Sequence, residues 1–144
     1  VGANLYKVRV LRENKGSLNT FSTYLNGMLL AVAGLTEKRA KSDGFEVLVS
    51  QVECPNHHPK SLPKTMPIIL KLVFSKSSCA LLGGQILGPE NASEMVNIIA
   101  LAIQNKNTAY DLSNLQLSTH PLLTPAPTIS PIINASQNII EKIG

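Results

Sequence analysis

The chain has 144 residues, 44% hydrophobic and 15% charged, which suits one globular domain with its own core and excludes a disordered chain or a pair of ordinary domains. Thirteen Lys and Arg against nine Asp and Glu leave a net charge of +4, but the basic residues are scattered. With three Phe, three Tyr and no Trp there are few platforms for base stacking, so no nucleic-acid partner is expected.

In chain order, Leu5-Tyr6-Lys7-Val8-Arg9-Val10 alternates like a strand and Glu13-Asn14-Lys15-Gly16-Ser17 reads as a turn. Residues 1–26 are thus expected to be a linker or an edge strand. The apolar run over residues 28–33, closed by Gly34, predicts a buried strand. Thr36 as N-cap, Glu37 in the first turn and Gly44 as a stop predict a short helix over residues 37–42. Residues 45–52, 67–74 and 80–87 then predict three more strands, the last two joined as a hairpin, with a Pro-punctuated loop over residues 55–63.

The period then changes. Met95, Ile98, Ile99, Ala102 and Ile103 form an apolar helical face, opened by Asn91 or Ser93. Thr108-Ala109-Tyr110-Asp111 is a capping box, in which hydroxyl and carboxylate each satisfy a free N–H of a second, short helix. A Pro-rich crossing over residues 120–127 leads to Ser130 as cap and Pro131 as first residue of a terminal helix, with Ile132, Ile139, Ile140 and Ile143 as its stripe. Strands first and helices last predict an α+β fold, an antiparallel sheet of three to five strands with helices packed on one face.

Few motifs carry chemistry. Gly83-Gly84 sits inside a strand pattern and opens no helix, so it marks a bulge or a close backbone approach and not a dinucleotide site. Cys54, His57 and His58 are competent zinc ligands, but a second ligand pair is lacking, and no metal site is expected. The separated cysteines Cys54 and Cys79 fit a reducing cytoplasm. No apolar run is long enough for a transmembrane span, and no secretory signal is read at the N-terminus. Because the chain begins at Val1, an upstream portion is expected. Asn91-Ala92-Ser93 and Asn134-Ala135-Ser136 fit the glycosylation pattern but are read as polar residues of helical regions. His120, held before Pro121, is the candidate general acid or base, since an imidazole changes charge near neutral pH.

Three words of sequence in order, Gly34-Leu35-Thr36-Glu37-Lys38-Arg39-Ala40, Gly83-Gly84-Gln85-Ile86-Leu87-Gly88 and Thr119-His120-Pro121, resemble the pyridine nucleotide-disulfide oxidoreductase family. That family includes NADH oxidases, coenzyme A-disulfide reductases and dihydrolipoamide dehydrogenases. In it one segment binds FAD, a second binds NAD(P)H, and a C-terminal domain forms the dimer interface. The resemblance implies that residues 19–144 are this dimerisation domain and residues 1–18 a linker or the tail of the FAD-binding domain. It implies that the chain itself binds no cofactor, with FAD and NAD(P)H held elsewhere in a full-length homodimer.

The resemblance also assigns His120 a catalytic part, reaching across the dimer to the partner's redox centre. In the family's H-P-T-x-x-E motif the Glu orients the His; here Leu122 stands for the Thr and Pro125 for the Glu. Leu62 and Thr119 stand about where the oxidase branch carries active-site tyrosines. The family's redox cysteine pair belongs to the FAD segment, so Cys54 and Cys79 are not that pair. The alternative from another class is a free-standing module for a small ligand or partner, with residues 55–63 and the His120 crossing as its pocket.

Overall fold

A computed structural model describes residues 16–144, so the alternation over residues 5–10 lies outside the described residues. Five antiparallel strands, β1 (Thr20–Leu25), β2 (Met28–Gly34), β3 (Val47–Pro55), β4 (Pro67–Ser75) and β5 (Leu81–Gly88), form one sheet in the order β1-β2-β5-β4-β3. The helices are α1 (Glu37–Ser42), α2 (Met95–Gln104), α3 (Ala109–Ser113) and α4 (Pro131–Ile143). The expected α+β architecture is therefore observed. From Thr20 onward the opening segment is an edge strand, paired with β2 through Asn26 and Gly27, both at positive φ (50° and 79°). Two left-handed residues in succession are what a tight hairpin turn requires, and Asn-Gly supplies them at low cost.

The strand pattern separates the two faces. Ile68, Leu70, Leu72 and Phe74 of β4 alternate to one side and are fully buried, as is Ile86 of β5, which pairs with Leu70. Burying each such side chain contributes about 1.5–3 kcal/mol. This side is covered by α2, packed on β5 and β2, and by α4, packed on β3 and β4. The short α1 is the exception. It crosses the opposite face, where Glu37 bonds Lys71 at 2.7 Å and where Ala40 and Val73, the latter on the face of Lys71, are fully buried.

Gly83-Gly84 answers to both parts of its expectation. The β4–β5 register steps from Val73↔Gly83 to Phe74↔Leu81, which leaves Leu82 as a bulge residue, and its carbonyl accepts from Leu35 N at 2.9 Å. A Cβ on Gly83 would overlap the Leu35 carbonyl oxygen, and one on Gly84 would lie 2.9 Å from both Ile99 Cγ2 and Leu72 Cδ2. The glycines let the chain entering α1 and the helix α2 come directly onto β5.

Local signals hold at the starts of α1 and α3 and fail at the start of α2. Thr36 Oγ1 accepts from Arg39 N, and both halves of the Thr108–Asp111 capping box form. Neither Asn91 nor Ser93 caps α2: Glu94 occupies the cap position without a side-chain bond, because a 3-10 turn (Glu90–Ala92) takes Asn91 elsewhere. On α2 the fully covered residues are Val96, Ile99 and Ala102, with Met95, Ile98 and Ile103 at the margin, so the buried stripe is turned from the one expected. Ser130 and Pro131 take the cap and first helical positions of α4 as expected, although the Ser130 side chain makes no capping bond, and Ile143 of the expected stripe is 43% exposed.

Candidate functional site

Two loops meet at one end of the sheet. The first follows β3, whose last pair is Pro55↔Pro67. Proline has no N–H, so the paired prolines offer the ladder no donor where the regular strands end. Asn56 closes the neck of that loop: its backbone N donates to Met66 O and its Oδ1 accepts from Met66 N, each at 2.9 Å. Within the loop Thr65 Oγ1 gives its hydrogen to Leu62 O at 2.6 Å, so the 3.0 Å contact with His57 Nε2 is a donation from the ring.

The second loop is the Pro-rich crossing between α3 and α4. It makes a turn in which Leu123 N and Thr124 N both donate to His120 O at 3.0 Å, while His120 N donates to Thr124 Oγ1 at 3.0 Å. The turn bonds to the first loop. His58 N donates to Pro121 O at 2.9 Å, and His58 Nδ1 donates to Thr124 O at 3.0 Å. Asn91 Nδ2 donates to Leu123 O and to Asn56 O, both at 3.0 Å, tying the two loops through one side chain.

His120 itself is exposed at the tip of this turn. Its Nδ1 accepts from Leu122 N at 3.3 Å, which places the ring proton on Nε2, and Nε2 has no partner among the described residues. At the position of the motif's Glu stands the buried Pro125, and the partner of Nδ1 is a backbone donor. The neutral imidazole is thereby set to offer an N–H outward. Beside it Leu122 and Leu123 are each 62% exposed.

The remaining sequence candidates separate. Cys54 is buried, and burial, with Glu53 nearby, pushes its thiol up to about 11, so it stays protonated and unreactive at neutral pH. Cys79 sits half-buried in the turn before β5. Among the described residues no three of His, Cys, Asp and Glu are grouped as a metal ion would need. Asn91 spends its amide on the two loops, and Ser136 is buried in α4 with its hydroxyl donating to Ile132 O. The two loops named in the alternative reading bond to each other, and two surface clefts, of about 450 and 480 Å³, are lined by other residues.

A second feature is the sheet face that α2 and α4 leave open. Phe21 pairs with Val32, and Thr23 with Leu30, Leu30 with Leu87 and Leu87 with Ile69, forming an apolar band across four strands. In it Leu25, Phe21, Leu30 and Leu87 remain 72, 49, 43 and 39% exposed. At its far end Glu37 accepts from Lys41 (2.6 Å) and Lys71 (2.7 Å), and these two bonds hold its carboxyl down at about 2.

Residues 21–130 match the pyridine nucleotide-disulphide oxidoreductase dimerisation domain. The chain belongs to that family. It is 31% identical over 113 residues to an NADH oxidase of Enterococcus faecalis, covering 78% of this chain and 25% of that protein. It is 36% identical over 94 residues to a dihydrolipoyl dehydrogenase of Geobacillus stearothermophilus, covering 65% of this chain and 19% of that protein. Its fold is similar to that of an NAD-dependent persulfide reductase from A. fulgidus, with a TM-score of 0.80, 27% identity, and coverage of 88% of this chain and 23% of that one. The chain thus spans about a quarter of the length of relatives it matches. Among the described residues no helix is long and apolar enough to cross a membrane.

Proposed function

We propose that residues 19–144 are the C-terminal dimerisation domain of a FAD-dependent, NAD(P)H-oxidising homodimer, with residues 1–18 the linker or tail of its FAD-binding domain. The domain holds two subunits together and completes each active site from across the interface. It binds no cofactor itself; FAD and NAD(P)H belong to the other domains of the same polypeptide. Its cysteines, one buried and one half-buried, are free, which fits a cytoplasmic location.

The observation that carries this reading is the exposed His120 on a turn bonded at three carbonyls to the rest of the domain. An unsupported loop tip would hold no side chain in place, whereas a supported tip can present one to another chain. With its N–H on Nε2, His120 donates a hydrogen bond to the reacting atoms at the partner's site. The flavin and nicotinamide supply the redox chemistry there when bound. In the full-length enzyme His120→Gln is expected to lower turnover by about a hundredfold or more. Turnover equal to wild type at every pH would reduce His120 to a structural residue.

A further inference from the structure

We infer that His58 and Asn91 are positioning residues for His120, clamping its turn through the carbonyl groups of Pro121, Leu123 and Thr124. This rests on the reading above that His120 acts at the partner's site. The crossing has no regular element around residues 119–124 to hold it. Among the described residues, the hydrogen bonds that fix the turn against the body of the domain come from these two residues.

The chemistry of the clamp is determined by its acceptors. A carbonyl oxygen can only accept, so the 3.0 Å contact between His58 Nδ1 and Thr124 O places a hydrogen on Nδ1. His58 also gives its backbone N–H to Pro121 O at 2.9 Å, so one residue grips the turn at both ends. Asn91 spends Nδ2 on Leu123 O and Asn56 O. An aspartate there would face two carbonyl oxygens with acceptors only.

Support for the clamp runs back to the core. Asn56, whose carbonyl accepts from Asn91, is 7% exposed and fastened to Met66 by two bonds at the root of β4. His58 follows it by two residues. The position of His120 is thus set by the edge of the sheet, through Asn56, His58 and Asn91, in place of the missing carboxylate of the family motif.

The test uses side-chain geometry in the full-length protein. An Asn amide nitrogen lies as many bonds from Cα as His Nδ1, and a Gln amide lies one bond further out. His58→Asn therefore keeps the donor at Thr124 O, and His58→Gln removes it at similar polarity. The measurements are amide hydrogen exchange at Leu123 and Thr124, and kcat and KM for the reduced nicotinamide. His58→Gln and Asn91→Asp are expected to speed exchange at both amides and lower kcat by about tenfold or more at unchanged KM. His58→Asn is expected to stay near wild type in exchange, kcat and pH profile. Wild-type exchange or kcat in His58→Gln, or equal damage in His58→Asn, overturns the inference. The His120→Gln enzyme separates the two levels: if it is impaired while His58→Gln is not, only the clamp fails, and if it turns over like wild type, the role of His120 and the clamp fall together.

Discussion

The two faces of one sheet both carry apolar side chains and meet different fates. Leu70, Leu72, Phe74 and Ile86 on the covered face lie under α2 and α4 and are out of solvent, while Phe21, Leu30 and Leu87 on the open face remain in it. The difference lies in the chain's second half. Its helices supply one apolar stripe each, on α2 and α4, and both go to the same side. The domain therefore closes one core layer by itself and leaves a second apolar surface, of the kind that marks an interaction site. The open band suits a part that works inside a larger assembly.

The sharpest break in that comparison is truncation at matched positions. Leu72→Ala empties a site packed against Gly84 and is expected to cost about 2–5 kcal/mol, whereas Leu87→Ala on the open face should cost well under about 1 kcal/mol in the isolated domain. Chemical denaturation of both variants measures this. Equal losses would mean that the two faces do not differ in the way described.

A smaller effect is expected beneath the covered side. α3 packs on α4, and its start is fixed by the hydroxyl of Thr108 on Asp111 N. Thr108→Ala should lower stability by about 1 kcal/mol, readable as a fall in Tm. The backbone N–H and hydroxyl of Thr108 also hold the Asp111 carboxyl below the ordinary range, so the variant should soften the acid response.

The smallest effect belongs to the open face and depends on pH. The bonds from Lys41 and Lys71 hold Glu37 at about 2, below its ordinary 4.5. A folded value below the unfolded one contributes stability at higher pH, and that contribution is lost as pH falls from about 5 toward 2. Glu37→Gln should therefore flatten the fall of Tm with acid in that window and change little at neutral pH, as a one-third exposed pair would. An unchanged acid slope would show that α1 is not tied to the sheet by this carboxylate.

Features that depend on residues near in sequence were legible. Thr36 to Gly44 and Thr108 to Asp111 give their helices directly, because cap and carboxylate act within one turn, and the alternation of Ile68, Leu70, Leu72 and Phe74 gives the buried face of β4. Asn26-Gly27 also carried its hairpin in the sequence, although the segment reads only as a linker or an edge strand. The clamp was not legible. Asn91 meets Asn56 at a separation of 35 residues, and His58 meets Thr124 at 66, so nothing local distinguishes these side chains from solvated polar loop residues. The start of α2 was missed for the same reason: Asn91, a good cap by type, is drawn away by two distant carbonyls. His120 stood out in the sequence, but what holds it did not.

The most direct test of the account is a mixed dimer of the full-length protein. One subunit carries His120→Gln with an intact flavin site, and the other keeps His120 but has its flavin-binding segment disabled. Each homodimer alone should be nearly inactive. If His120 acts across the interface, the mixed dimer regains about half the wild-type turnover, because the one flavin site left is completed by the partner subunit's imidazole. If the mixed dimer stays as inactive as its parents, His120 does not serve the opposite subunit and the central claim is contradicted.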